Sequence, residues 1–152
     1  MRGMRNALVL LFLGLAALST TADAARAKPA CVPVIRGAWV RMTPVMPIGA
    51  GYFTIENPCA MPVTLSGASS ARFSDVSMHE TRLENGISRM LPLASQTVAP
   101  GQRIEFRPGG RHLMLAMPRE GSAVPTTHLR IDLRLADGRV LPVDFELRRA
   151  AP

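Results

Sequence analysis

The stretch His128–Leu147, HLRIDLRLADGRVLPVDFEL, decides the fold. Leu129, Ile131, Leu133 and Leu135 alternate with polar neighbours, and Leu141, Val143, Phe145 and Leu147 answer them after Asp137-Gly138. Alternation at period two puts the apolar residues on one face of a strand. Asp-Gly between two such runs is a strong hairpin signal. Pro142 has no amide hydrogen to give, which predicts an edge position or a bulge inside the second strand. Working outward, the same patterning punctuated by Gly and Pro marks further strands at Val34–Met42, Gly49–Asn57, Val63–Ser69, Asp75–Arg82, Ile87–Leu93, Gln102–Phe106 and Arg111–Met117. The final pair is expected at His128–Leu135 and Arg139–Leu147. Met42 to Pro47 reads as a Pro-broken loop, Arg119 to Thr127 as an irregular connection, and Ala25–Pro33 and Arg148–Pro152 as loose ends. No ordinary amphipathic helix appears after residue 24. Short alternating strands of this kind predict an all-β chain folded as a β-sandwich or Greek-key barrel.

At the N-terminal side, Arg2 and Arg5 precede an uncharged apolar run from Ala7 to Leu18, and Ala22-Asp23-Ala24 follows. A basic start, a short apolar core and small residues at the cleavage positions read as a secretory signal peptide over residues 1–24. A run of that length is too short to span a bilayer comfortably. Residues 25–152 then form a single domain, long enough to bury a core. Export from the cytoplasm is expected, with no stable membrane insertion.

The whole chain carries a formal charge of +7, and residues 25–152 carry +6. Its Arg residues are scattered along alternating strands, and aromatics make up only 5% of the chain. That leaves little for base stacking, so no nucleic acid partner is expected. A solvated basic surface is the simpler reading, and steering toward an acidic partner is the sharper one. Cys31 and Cys59 are the only two cysteines. In an oxidising compartment such a pair is expected to form a disulfide. No CxxC spacing supports a redox pair, and Lys28-Pro29-Ala30 before Cys31 does not look like an acylation box.

The chemistry gathers between Met78 and Met117. Ten residues separate His79 from Met90, twenty-one separate Met90 from His112, and one separates His112 from Met114. Imidazole and thioether are neutral, polarisable donors that suit a soft monovalent metal, of which Cu(I) is the biological candidate. A hard Mg²⁺ or Ca²⁺ site would need oxygen donors instead. Thioethers also survive an oxidising compartment without forming disulfides. No nucleophile elbow, phosphate loop or HExxH motif is present, so nothing here predicts an enzyme.

These four residues and their spacings resemble the signature of the PCu(A)C family of periplasmic copper chaperones. The resemblance extends to Ala38-Trp39-Val40-Arg41, to Gly49–Asn57, and to Pro108-Gly109-Gly110 ahead of His112-Leu113-Met114-Leu115. It implies a cupredoxin-like β-sandwich that binds Cu(I) through His79, Met90, His112 and Met114. It also implies delivery toward the copper centre of cytochrome c oxidase. The implied recipients are cytochrome c oxidase subunit II or a thiol-bearing Sco-type copper chaperone.

The residues themselves can be weighed further. In a strand, positions i and i+2 share a face. His112 and Met114 should therefore project together, with Leu113, Leu115 and Met117 turned to the core. Met78 should turn away from His79 into the core, and Met90 should come alongside through a hairpin at Glu84-Asn85-Gly86. His128 reads as an ordinary exposed histidine, and Trp39 and Tyr52 are expected to pack inside the sandwich. A copper buffer with no dedicated recipient, or a structural sandwich with incidental His and Met residues, are the competing functional readings.

Overall fold

The structure, a computed structural model, describes residues 30–42, 48–121 and 127–149. The expected signal peptide, the Pro-broken loop after Met42 and the middle of the connection from Arg119 to Thr127 lie outside the described residues. The chain forms β1 (Val34–Met42), β2 (Gly49–Glu56), β3 (Val63–Ser69), β4 (Phe73–Glu84), β5 (Ile87–Pro92), β6 (Gln96–Val98), β7 (Arg103–Phe106), β8 (Arg111–Pro118), β9 (His128–Leu135) and β10 (Val140–Arg149). All nine expected strands are present. β6 is an addition, and β10 runs into the segment expected to be a loose end.

The strands pair in the order β5-β4-β8-β2-β1-β10-β9-β3-β6, with β7 on β2 beside β8. All pairs are antiparallel except β1 with β10. Neighbours such as β4 and β8, or β3 and β9, are far apart in sequence, as the crossovers of a Greek-key sandwich require. The path is open, so the sheet folds over on itself without closing into a barrel. Its inner faces meet in one core built from Val40, Phe53, Leu65, Met78, Leu113, Ile131 and Phe145, each at most 5% exposed, with their neighbours. Burying one such side chain stabilises by about 1.5–3 kcal/mol. Phe53 stacks on Phe106 with centroids 4.4 Å apart and meets Phe145 edge-on, joining β2, β7 and β10.

The β9–β10 hairpin turns at Asp137-Gly138, where Gly138 takes φ +88°. Pro142 pairs with Asp132 of β9, while β1 joins β10 only from Glu146 onward. The proline therefore sits where the strand has one neighbour, which is the edge environment its missing N–H demands.

Two expectations are corrected. Met117 does not face the core: it adopts φ +51° and is 63% exposed. The left-handed turn of the backbone breaks the alternation that Leu113 and Leu115 obey. Trp39 does not pack inside the sandwich either, and Tyr52, though buried at 4% exposure, packs on the outer face against Trp39 rather than in the core cluster. A bulge in β1 between Arg36 and Trp39, with Gly37 at φ +55°, inserts one residue against β2. A bulge of this kind swaps the faces of every later residue. Val40 and Met42 enter the core, and Trp39 and Arg41 come out beside Tyr52 on the outer face.

Cys31 and Cys59 form a disulfide with their Cα atoms 5.7 Å apart. It ties the segment before β1 to the loop after β2. Asn57, 1% exposed, braces the same loop from inside. Among the described residues no helix is long and apolar enough to cross a membrane.

Candidate metal centre

The site lies on the outer face of the sheet where β5, β4 and β8 run side by side. β4 faces β8 with His79 directly opposite His112 and Ser77 opposite Met114. β4 faces β5 with His79 opposite Pro92 and Thr81 opposite Met90. All of these residues share one face, because each pair in an antiparallel ladder points the same way. The two histidines thus form the centre. Met114 lies one step along β8 on one side, and Met90 lies one step along β5 on the other.

Local sequence explains why each group is held there. Asn85 and Gly86 both take positive φ, at +53° and +78°, as a two-residue hairpin turn requires. That turn sets the register that brings Met90 beside Thr81. Gly109 at φ +75° turns the chain into β8, and the Gly110 carbonyl then accepts hydrogen bonds from Thr81 N at 3.1 Å and from His112 Nδ1 at 3.0 Å. Glu80, at the end of the β4–β8 ladder, pairs with Arg82 at 2.6 Å and Arg111 at 3.3 Å. These contacts fix the strand ends next to the histidines.

The imidazole rings of His79 and His112 stack with centroids 5.9 Å apart and 24° between planes. His112 is 8% exposed, covered in part by Tyr52, whose ring centroid is 6.5 Å away. Tyr52 in turn lies 4.6 Å from Trp39, under the guanidinium of Arg41, while Arg148 covers Trp39. A paving of aromatic rings and cations therefore borders the site on the β2 side. Ala50, paired with Met114, and Ser77 are small and leave the thioether room. Met90 is 54% exposed. Burial, then the nearby His112, hold the His79 pKa below its ordinary 6.5, with Asp75 opposing.

Two features bear on what the site can hold. His79 Nδ1 is buried and has no hydrogen-bond partner. Among the described residues no three His, Cys, Asp or Glu side chains converge as a metal site. Met114 and Met90 offer thioether sulfur beside the histidine pair, a donor set that suits a soft ion and disfavours Mg²⁺ or Ca²⁺. The structure thus brings His79, His112, Met114 and Met90 to one face, and it leaves His128 exposed at the start of β9, remote along the sheet. Sequence reasoning did not foresee the roles of Tyr52 and the Gly110 carbonyl. The glycine pair signalled a turn, but not an acceptor aimed at His112.

A family model described as "Putative lipoprotein LpqE-like" matches residues 34–147. The chain belongs to the LpqE-like family. A "Putative lipoprotein", Lxx21020, of Leifsonia xyli subsp. xyli is 30% identical over 95 residues, covering 62% of this chain and 57% of that protein. An uncharacterised protein of Rickettsia prowazekii, RP573, is 30% identical over 71 residues, covering 46% and 39%. This LpqE-like chain thus matches little more than half of the length of the first of these curated relatives, and less of the second. Among solved structures, the copper-bound PCuAC domain from PmoF2 superposes with a TM-score of 0.61 at 20% identity, over 76% of this chain and 92% of that one. The Cu(I) form of DR1885 from Deinococcus radiodurans gives 0.54 at 26% identity, over 83% of each chain. Apo-DR1885 gives 0.59 at 22% identity, over 98% and 96%. The resemblance to the PCu(A)C family seen in the sequence is borne out: the LpqE-like chain has the fold of PCuAC domains. In this member both cysteines are joined to each other.

Proposed function

We propose that this protein is a periplasmic metallochaperone that binds Cu(I) through His79, Met90, His112 and Met114 and passes it on for assembly of the cytochrome c oxidase copper centre. The observation that carries the reading is the register: His79 opposite His112, with Met114 and Met90 one step to either side on the same outer face. The copper-bound state of the PmoF2 domain and the Cu(I) state of DR1885 support copper as the cargo. Residues 1–24 act as a cleaved signal peptide and residues 25–152 as one copper-binding domain. The disulfide and the family's description both suit an exported protein. The protein binds and hands over its metal and catalyses no reaction.

Its chemistry follows from the donors. Two neutral imidazoles and two thioethers hold a soft cation without adding a ligand charge. An acceptor offering cysteine thiolates binds Cu(I) more strongly, which gives transfer a direction. Cytochrome c oxidase subunit II and a Sco-type chaperone are the acceptors proposed. Anaerobic titration with Cu(I) against a chromophoric competitor tests the reading. One tight equivalent is expected, abolished in the His112→Ala/Met114→Ala double variant. Absence of stoichiometric binding overturns it. Mixing the loaded protein with each reduced apo acceptor domain tests delivery, and copper retained in both mixtures would leave a buffer rather than a chaperone.

A further inference from the structure

The two histidines are not equivalent in the hydrogen bonds they make. His112 Nδ1 lies 3.0 Å from the Gly110 carbonyl oxygen. A carbonyl only accepts, so Nδ1 must carry the proton and Nε2 must keep the lone pair. His79 is bonded the other way round: its Nε2 lies 3.1 Å from Ser77 Oγ, two residues earlier on the same face of β4. Its Nδ1 is buried without any partner.

A hydroxyl can donate or accept, so Ser77 alone allows two tautomers of His79. In one, Ser77 donates to Nε2 and the proton on Nδ1 is orphaned in a dry environment. In the other, Nε2–H donates to Ser77 and Nδ1 presents only a lone pair. Orphaned buried N–H groups are rare in native proteins, rarer than under-satisfied acceptors. The second arrangement avoids the orphaned donor, and its bare lone pair, shielded from water, is one that a soft, readily dehydrated cation would fill. The nitrogen that takes a metal is set by the hydrogen bond that the other nitrogen makes.

We propose that Ser77 is a positioning residue that holds His79 as the Nε2–H tautomer, so that His79 takes the metal through Nδ1 while His112 takes it through Nε2. This rests on the Cu(I)-binding reading for its metal arm, but its tautomer arm stands without any metal. Ser77 also faces Met114 across the β4–β8 ladder. It therefore sits between two of the proposed ligands without being one, since a neutral hydroxyl is a poor donor to a soft ion.

Long-range ¹H–¹⁵N correlation spectra of the imidazoles test the assignment on the intact disulfide-bonded protein. In the apo protein above pH 7, His79 should show a pyridine-type Nδ1 and a pyrrole-type Nε2, and His112 the reverse. One equivalent of Cu(I) should move His79 Nδ1 and His112 Nε2 and leave the other two nitrogens pyrrole-like. In Ser77→Ala, His79 should spread over both tautomers and Cu(I) affinity should fall about tenfold, the lower end for loss of such a supporting bond. The His112 pattern and the thermal midpoint should be retained. Ser77→Thr, which keeps the hydroxyl, should restore both readouts. A His79 that is protonated at Nδ1 in the apo protein, or that binds Cu(I) through Nε2, overturns the proposal. If no Cu(I) binds, the functional reading fails while the apo spectrum still decides the tautomer.

Discussion

Replacing Asn57 by alanine should unfold this protein well before it disturbs the metal site. The Asn57 amide Nδ2 donates to Met61 O and to Val98 O, both at 2.9 Å, and Oδ1 accepts from Cys59 N at 3.0 Å. Its backbone is engaged as well, with Gln102 O and Gly101 N. One side chain thus fastens the end of β2, the disulfide loop and β6. Each net hydrogen bond contributes about 0.5–1.5 kcal/mol, and each buried partner left unsatisfied adds to the loss. Three such bonds place the cost of Asn57→Ala at about 3–4 kcal/mol. At roughly 2.1 cal/mol/K per residue over a domain of about 120 residues, each kcal/mol moves the midpoint by about 4 °C. The oxidised variant should therefore melt about 12–16 °C lower, with a matching shift in urea. Asn57→Asp should be worse at neutral pH, because it aims a charged oxygen at two carbonyls. Stoichiometric Cu(I) binding by the folded variant should persist, since the histidine pair lies on the outer face. A loss below about 1 kcal/mol, or an aspartate variant more stable than the alanine one, would refute the reasoning.

Three further outcomes follow from the same contacts. Because burial and then His112 hold His79 below 6.5 against Asp75, its neutral form favours the fold: that contribution is complete above pH 6.5 and is lost as pH falls through the lower folded value. An NMR titration of the apo protein should give His79 a midpoint under 6.5, lower still in Asp75→Asn, and a midpoint at or above 6.5 contradicts this. Met90→Leu, at a side chain 54% exposed, should change stability by no more than about 0.5 kcal/mol yet weaken Cu(I) binding, and unchanged affinity removes Met90 from the ligand set. Replacing Cys31 and Cys59 together by serine opens a loop of sequence separation 28 and should cost about 3–4 kcal/mol in urea unfolding, so a loss under about 1 kcal/mol would show that the tie scarcely constrains the unfolded chain.

Much of this fold could be read from alternation alone, because β9 and β10 keep strict period two around an Asp-Gly turn. The four candidate donors stand out by their spacing, and their common face could be read from the parity of His112 with Met114 and of Ser77 with His79. What alternation cannot see is a change of phase. Counting in twos from Ile35 puts Trp39 inside, and only the bulge at Gly37 puts it outside. Counting from Leu113 puts Met117 inside, and its left-handed backbone turns it out. β6, at three residues, is too short to carry a period. The hydrogen bonds of Ser77, Gly110 and Asn57 join residues through the folded sheet, and no local pattern announces them.

The parallel pairing of β1 with β10 has a consequence for how the molecule is made. The first and last strands are neighbours in the middle of the sheet path, and Phe145 of β10 is wholly buried. A chain emerging N-terminus first can form the β1–β2 and β4–β5 hairpins as it appears, but it cannot complete the sheet until its last strand arrives. Long-range pairing of this kind raises contact order and slows folding to the millisecond-to-second range of β-sandwiches. Until then the uncovered flank of β1 is an open edge beside an unfinished core, the kind of surface that aggregates. Productive folding should therefore wait until β10 is free to pair with β1, whatever has formed before it.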